Sequence, residues 1–127
     1  MNALIAQANT WTLKSGTNKG QRRIWIEGKR LSALGLTRGT LLRRAMFVDH
    51  ISGRGLHGIF LTTVSDEVFA TLGGRERCRV AGTVDRPIID LSGKWVSDFM
   101  GSAERFMVVT VIDASGNVAG LHISPVQ

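Results

Sequence analysis

The chain has 127 residues, 43% of them apolar and 20% charged, which suits one globular domain with a real core and leaves no room for two. A formal net charge of +6 favours polyanionic partners, and no apolar run reaches the length of a membrane span. The single cysteine, Cys78, excludes an intrachain disulfide, and Met1–Gln7 lacks the segments of a secretory signal, so the expected location is the cytoplasm.

In chain order, Trp11-Thr12-Leu13 reads as a short strand, and Lys14 to Gly20 is rich in turn formers. Ile24-Trp25-Ile26 is a strand with β-branched bias. Over Gly28 to Leu36 the i, i+3 spacing of Leu31 and Leu34 predicts a helix of one to two turns. Gly35 is its left-handed stop and Leu36 packs back onto it. Thr37 to Thr40 is a turn; Leu41–Val48 and Ile59–Val64 are strands joined by residues 49–55. Residues 65–74 form a short helix or a connector, broken at Gly73-Gly74.

Arg77–Val84 reads as a strand, and Pro87 leads into a second over Ile88–Leu91. Lys94–Met100 is a helix burying Val96 and Phe99, ended by Gly101. Phe106–Ile112 and Val118–Ile123 are strands joined by the hairpin turn Asp113–Asn117.

The same order occurs twice. Gly28, Lys29 and Ser32 recur as Gly93, Lys94 and Ser97, and Gly55-Leu56-His57 recurs as Gly120-Leu121-His122, all 65 positions on. A fixed internal period marks a repeated supersecondary unit. The reading is one domain, 1–127, made of two repeats over about 11–64 and 75–127, with an approximate two-fold axis. The copies differ in charge. Residues 1–65 hold ten Lys and Arg against two acids; residues 66–127 hold six against eight.

No catalytic constellation is present, so the chain is read as no enzyme. Asp49, His50 and Ser52 are neighbours in one turn and cannot take the angular roles of a triad. Gly53-Arg54-Gly55-Leu56-His57-Gly58 matches Gly-x-Gly-x-x-Gly, but a strand follows it, which excludes dinucleotide binding. No metal spacing and no cofactor site is found; His57 and His122 read as copies at strand starts. Arg77 and Arg79 flank Cys78 and would favour its thiolate, although a small strand residue is the simpler account.

The candidate site is the basic set Arg22, Arg23, Lys29, Arg30, Arg38, Arg43, Arg44 and Arg54, suited to phosphate contacts. Arg43 and Arg44 are adjacent in a strand and must face opposite ways. Trp25, alternating with two isoleucines, should turn its indole outward beside Arg23, where it either packs or stacks on a base. Trp11 and Trp95 are expected in the core or at its rim.

The strand Arg23-Ile24-Trp25-Ile26, the Leu31…Leu34-Gly35-Leu36 helix, the Thr37-Arg38-Gly39-Thr40 turn and the strand from Leu41 resemble the AbrB/SymE-like swapped-hairpin DNA-binding family. The resemblance covers about 22–63, with a second match over 86–124. It implies a mainly β, pseudo-two-fold β-barrel of two interlocked hairpin units with short helices, both on one chain. It also implies DNA contacts from Arg22, Arg23, Lys29, Arg30 and Arg38; Arg43, Arg54 and Trp25 join the candidate site on the reading of the residues themselves. In the second unit Gly101-Ser102-Ala103-Glu104 replaces the Thr-x-Gly-Thr turn, and of the basic positions Lys94 remains. The expected function is nucleic-acid binding, DNA above RNA, of the transcription-regulator or antitoxin type. The alternatives are a protein-interaction module or inhibitor gripping an acidic partner, and an RNA-targeting SymE-like toxin. A homodimer is compatible with each.

Overall fold

The first strand, β1, runs from Leu4 to Lys14, well beyond the short segment its sequence suggests. In this computed structural model, which describes residues 4–49 and 56–126, it is followed by β2 (Gly16–Asn18), β3 (Gln21–Glu27), α1 (Lys29–Ala33), β4 (Leu41–Asp49) and β5 (Leu56–Thr63). Then come α2 (Asp66–Thr71), β6 (Arg77–Arg79), β7 (Ala81–Gly82), β8 (Pro87–Ser92), α3 (Lys94–Met100), β9 (Arg105–Ile112) and β10 (Val118–Val126). The strands form two antiparallel sheets, a six-stranded one in the order β1-β9-β10-β5-β4-β6 and a four-stranded one in the order β2-β3-β8-β7. Among the described residues no ladder closes either sheet into a barrel.

Two corners join the sheets. β1 passes into β2 through Ser15, whose N–H donates to the Glu104 carbonyl at 2.8 Å. β6 passes into β7 through Val80, fully buried and held by the Thr37–Thr40 turn: Val80 N donates to Thr40 O at 3.0 Å and Gly39 N to Val80 O at 2.8 Å. The expected single strand over 77–84 is therefore broken at Val80, where the chain changes sheets. The Lys14–Gly20 stretch is also more ordered than its composition suggests. Its turn is confined to Lys19 and Gly20, both at positive φ, the two-residue geometry that matches strand twist.

Pairing crosses between the halves of the chain. β1 pairs with β9, β6 with β4, β5 with β10, and β3 with β8. In the last ladder Ile24 faces Leu91, Trp25 faces Asp90 and Ile26 faces Ile89. Period-2 alternation puts Ile24, Ile26, Ile89 and Leu91 on the inner face of the small sheet. They meet Leu42, Ile59, Leu61, Phe106, Val108, Leu121 and Ile123 from the large one. The helices close the core with Leu31, Val96, Phe99 and Met100.

α1 ends as its sequence predicts. Gly35 takes φ 79°, Leu36 N donates to Leu31 O at 2.9 Å, and the Leu36 side chain is buried. α3 occupies Lys94–Met100 and ends at Gly101, φ 56°. Residues 65–74 do contain a helix, α2, because the Ser65 hydroxyl accepts from Val68 N and Asp66 and Glu67 fill the first turn.

One expected equivalence fails. Within its hairpin His57 faces Val48, whereas His122 faces Val109 and not Asp113, the residue 65 places after Val48. The two histidines hold different places in their hairpins and are not counterparts.

Candidate nucleic-acid interface

β2 accompanies β3 only as far as Arg23. Beyond it β1 turns into the other sheet, so the edge of β3 from Trp25 to Glu27 is left facing an opening. Trp11, Thr12 and Leu13 of β1 form the opposite wall, and Lys29 and Arg30 of α1 cover one end. The resulting cleft has a volume of about 550 Å³. Within it the Arg30 guanidinium carbon lies 5.1 Å from the Trp11 ring centroid. Lys29 and Arg30 are exposed, and among the described residues no carboxylate pairs with either.

Trp25 stands as its alternation predicts, opposite the buried Ile24 and Ile26 and half-exposed. The Arg23 guanidinium stacks on it, 4.1 Å from the ring centroid, and also bridges Asp90 through two hydrogen bonds of 2.9 and 3.0 Å. The hydrogen bonds to Asp90 raise the Arg23 pKa further. Arg23 is thus oriented by the second half of the chain, and its stacked plane stays partly exposed.

The remaining basic residues separate. Arg22 turns inward: Nε donates to Ser15 Oγ at 3.2 Å, and the two terminal nitrogens donate to the carbonyls of Gly101 and Ala103 just beyond α3. Its backbone N–H meets Ser97 Oγ at 2.9 Å. Arg22 therefore ties β3 to α3, with its guanidinium engaged inside the chain. Arg38 is exposed in its turn. Arg43 points outward and pairs with Glu76 at 3.1 Å. Arg44 points inward and lies 4.0 Å from the Trp95 ring centroid; burial there lowers its pKa. Arg54 lies outside the described residues.

Sequence reasoning placed Trp11 in the core or at its rim and missed its part in the cleft. Its position three residues before the bend at Lys14-Ser15 was the available signal. Cys78 is a half-buried residue of strand β6, the simpler of its two accounts. Burial pushes its pKa up, with Arg44 the nearest opposing influence, while Arg77 and Arg79 face away, over Phe69 at 5.3 and 5.5 Å.

Among the described residues no cluster of His, Cys, Asp or Glu could hold a metal ion, and no helix is long and apolar enough to cross a membrane. Comparison of the chain with protein-family models, curated proteins and solved structures returns no match.

Proposed function

We propose that this is a nucleic-acid-binding protein, with DNA the expected target, built from two interlocked copies of one β-α-β-β unit. Support for the duplication lies in the registers. Trp25 faces Asp90, the residue 65 places on, so the β3–β8 ladder is centred on a position and its own counterpart. The strand preceding each unit pairs with the hairpin of the other: Leu13 faces Phe106, and Cys78, 65 places after Leu13, faces Leu42. That exchange supports the resemblance to the AbrB/SymE-like swapped hairpins.

The observation that carries the function is the convergence of Lys29, Arg30, Trp11 and Trp25 on one cleft. Cations without carboxylate partners there attract phosphates, and the indoles supply flat apolar faces. Arg23, stacked on Trp25, adds a guanidinium plane beside the indoles. Binding of an oligonucleotide should weaken steeply between about 50 and 200 mM salt. The Lys29→Gln/Arg30→Gln variant should lower the log–log salt slope by about 1.4 on a single strand, at ~0.7 per phosphate contact. A wild-type affinity indifferent to salt, or a double variant with an unchanged slope, refutes the reading.

A further inference from the structure

We infer that the cleft between β1 and β3 takes a single strand, its bases stacked on the Trp11 and Trp25 layers, in preference to a duplex. This rests on the nucleic-acid reading above and names the form of ligand. A base paired in a duplex has both faces covered by its neighbours, so an indole in a recess cannot reach them unless the base is extruded. A single strand offers its base faces freely, and stacking on aromatic or guanidinium planes is how such strands are held. The cleft supplies both kinds of plane. Trp11 lies beneath Arg30, and Trp25 beneath Arg23, whose guanidinium is fixed in orientation by both oxygens of Asp90. A base can therefore extend either stack by one layer.

The helices agree. Reading a duplex major groove calls for a protruding helix or ribbon. α1, α2 and α3 have five, six and seven residues, and α1 and α3 turn Leu31, Val96 and Phe99 into the core. α1 is placed to put Lys29 and Arg30 at the end of the cleft, where a phosphate between two stacked bases would lie.

The test uses the full chain with an oligothymidylate of about 12 nucleotides, within the span that one module of this kind covers, and a hairpin duplex of matched length. Expected are at least tenfold tighter binding of the single strand, quenching of tryptophan fluorescence, and loss of part of that quench in Trp25→Phe. Trp25→Ala should weaken single-strand binding roughly tenfold. Trp11 packs partly on the core, so Trp11→Phe is the variant to use there; it retains the fold and loses its share of the quench. Equal or tighter duplex binding, or single-strand binding without quenching, overturns the single-strand inference and leaves the nucleic-acid reading in place. Failure to bind either probe overturns both.

Discussion

Replacing Gly120 by Ala tests whether the two hairpins are truly joined into one sheet. Gly120 opens the β5–β10 ladder opposite Thr62, and that ladder has only four pairs. Its φ is 150°, and a Cβ there would sit 1.9 Å from the Leu61 carbonyl oxygen and 2.8 Å from its carbon. Both atoms belong to the backbone, so the seam itself must move by about 1 Å to reach the ~3 Å of a tolerable contact. Such a shift removes one or two seam hydrogen bonds, at about 1 kcal/mol each. The positive φ adds about 1–3 kcal/mol. The expected loss is therefore about 2–5 kcal/mol, a large part of the ~5–15 kcal/mol available to a domain. Gly73→Ala is the control. It has open space and no positive φ, so it should be neutral or stabilise by about 0.5 kcal/mol through the unfolded chain. Urea unfolding followed by circular dichroism measures both. A Gly120→Ala variant within about 1 kcal/mol of wild type would mean that the seam does not hold the hairpins together.

Burial pushes the His122 pKa below its ordinary value, so the unfolded chain binds more protons than the folded one. Stability is full above about pH 6.5 and falls as pH drops through that value towards the folded pKa; His122→Gln, unfolded in urea at several pH values, should lose this component of the slope. Arg22→Ala should cost about 1–2 kcal/mol in thermal or urea unfolding, chiefly by leaving the carbonyl of buried Ala103 without its donor, while the salt slope of oligonucleotide binding stays that of wild type.

Features fixed by a few consecutive residues were legible in the sequence. Gly35 with Leu36, the α3 boundaries, the Asp113–Asn117 turn and the outward Trp25 beside Arg23 each depend on local spacing alone. The turn is closed by Asp113 N to Asn117 O at 2.9 Å, with Gly116 at φ 85°. Features depending on distant segments were not legible. β1 is held as a strand by β9, since Ala6-Gln7-Ala8-Asn9 has little strand preference of its own. Arg22 looked like any surface arginine until Ser97, Gly101 and Ala103, 75 to 81 residues away, came to meet it. The matched histidines misled because the two hairpins do not share one register: His57 faces Val48, but His122 faces Val109, four residues short of the counterpart position.

Under the proposed duplication, the charge difference between the halves acquires a physical account. Three of the four ion pairs among the described residues join one half to the other: Arg23 with Asp90, Arg43 with Glu76 and Arg86 with Glu27. In an assembly of two identical units Trp25 would face another Trp25, and Arg23 would have no carboxylate there. With both units on one chain, the facing position became Asp90. The counterparts of the cleft residues differ as well. Sixty-five places on from Trp11 and Arg30 stand Glu76 and Trp95. There the indole comes from the helix, and Arg44 of β4 lies over it at 4.0 Å. A side chain that closed one cleft of an identical pair would close both. Fusion of two such units would remove that constraint, allowing one to brace the fold with its acids while Lys29 and Arg30 of the other remain free of ion pairing. Under the proposed reading, the basic cleft between β1 and β3 would contact one strand at one place, which suits holding a single strand and not reading a palindrome.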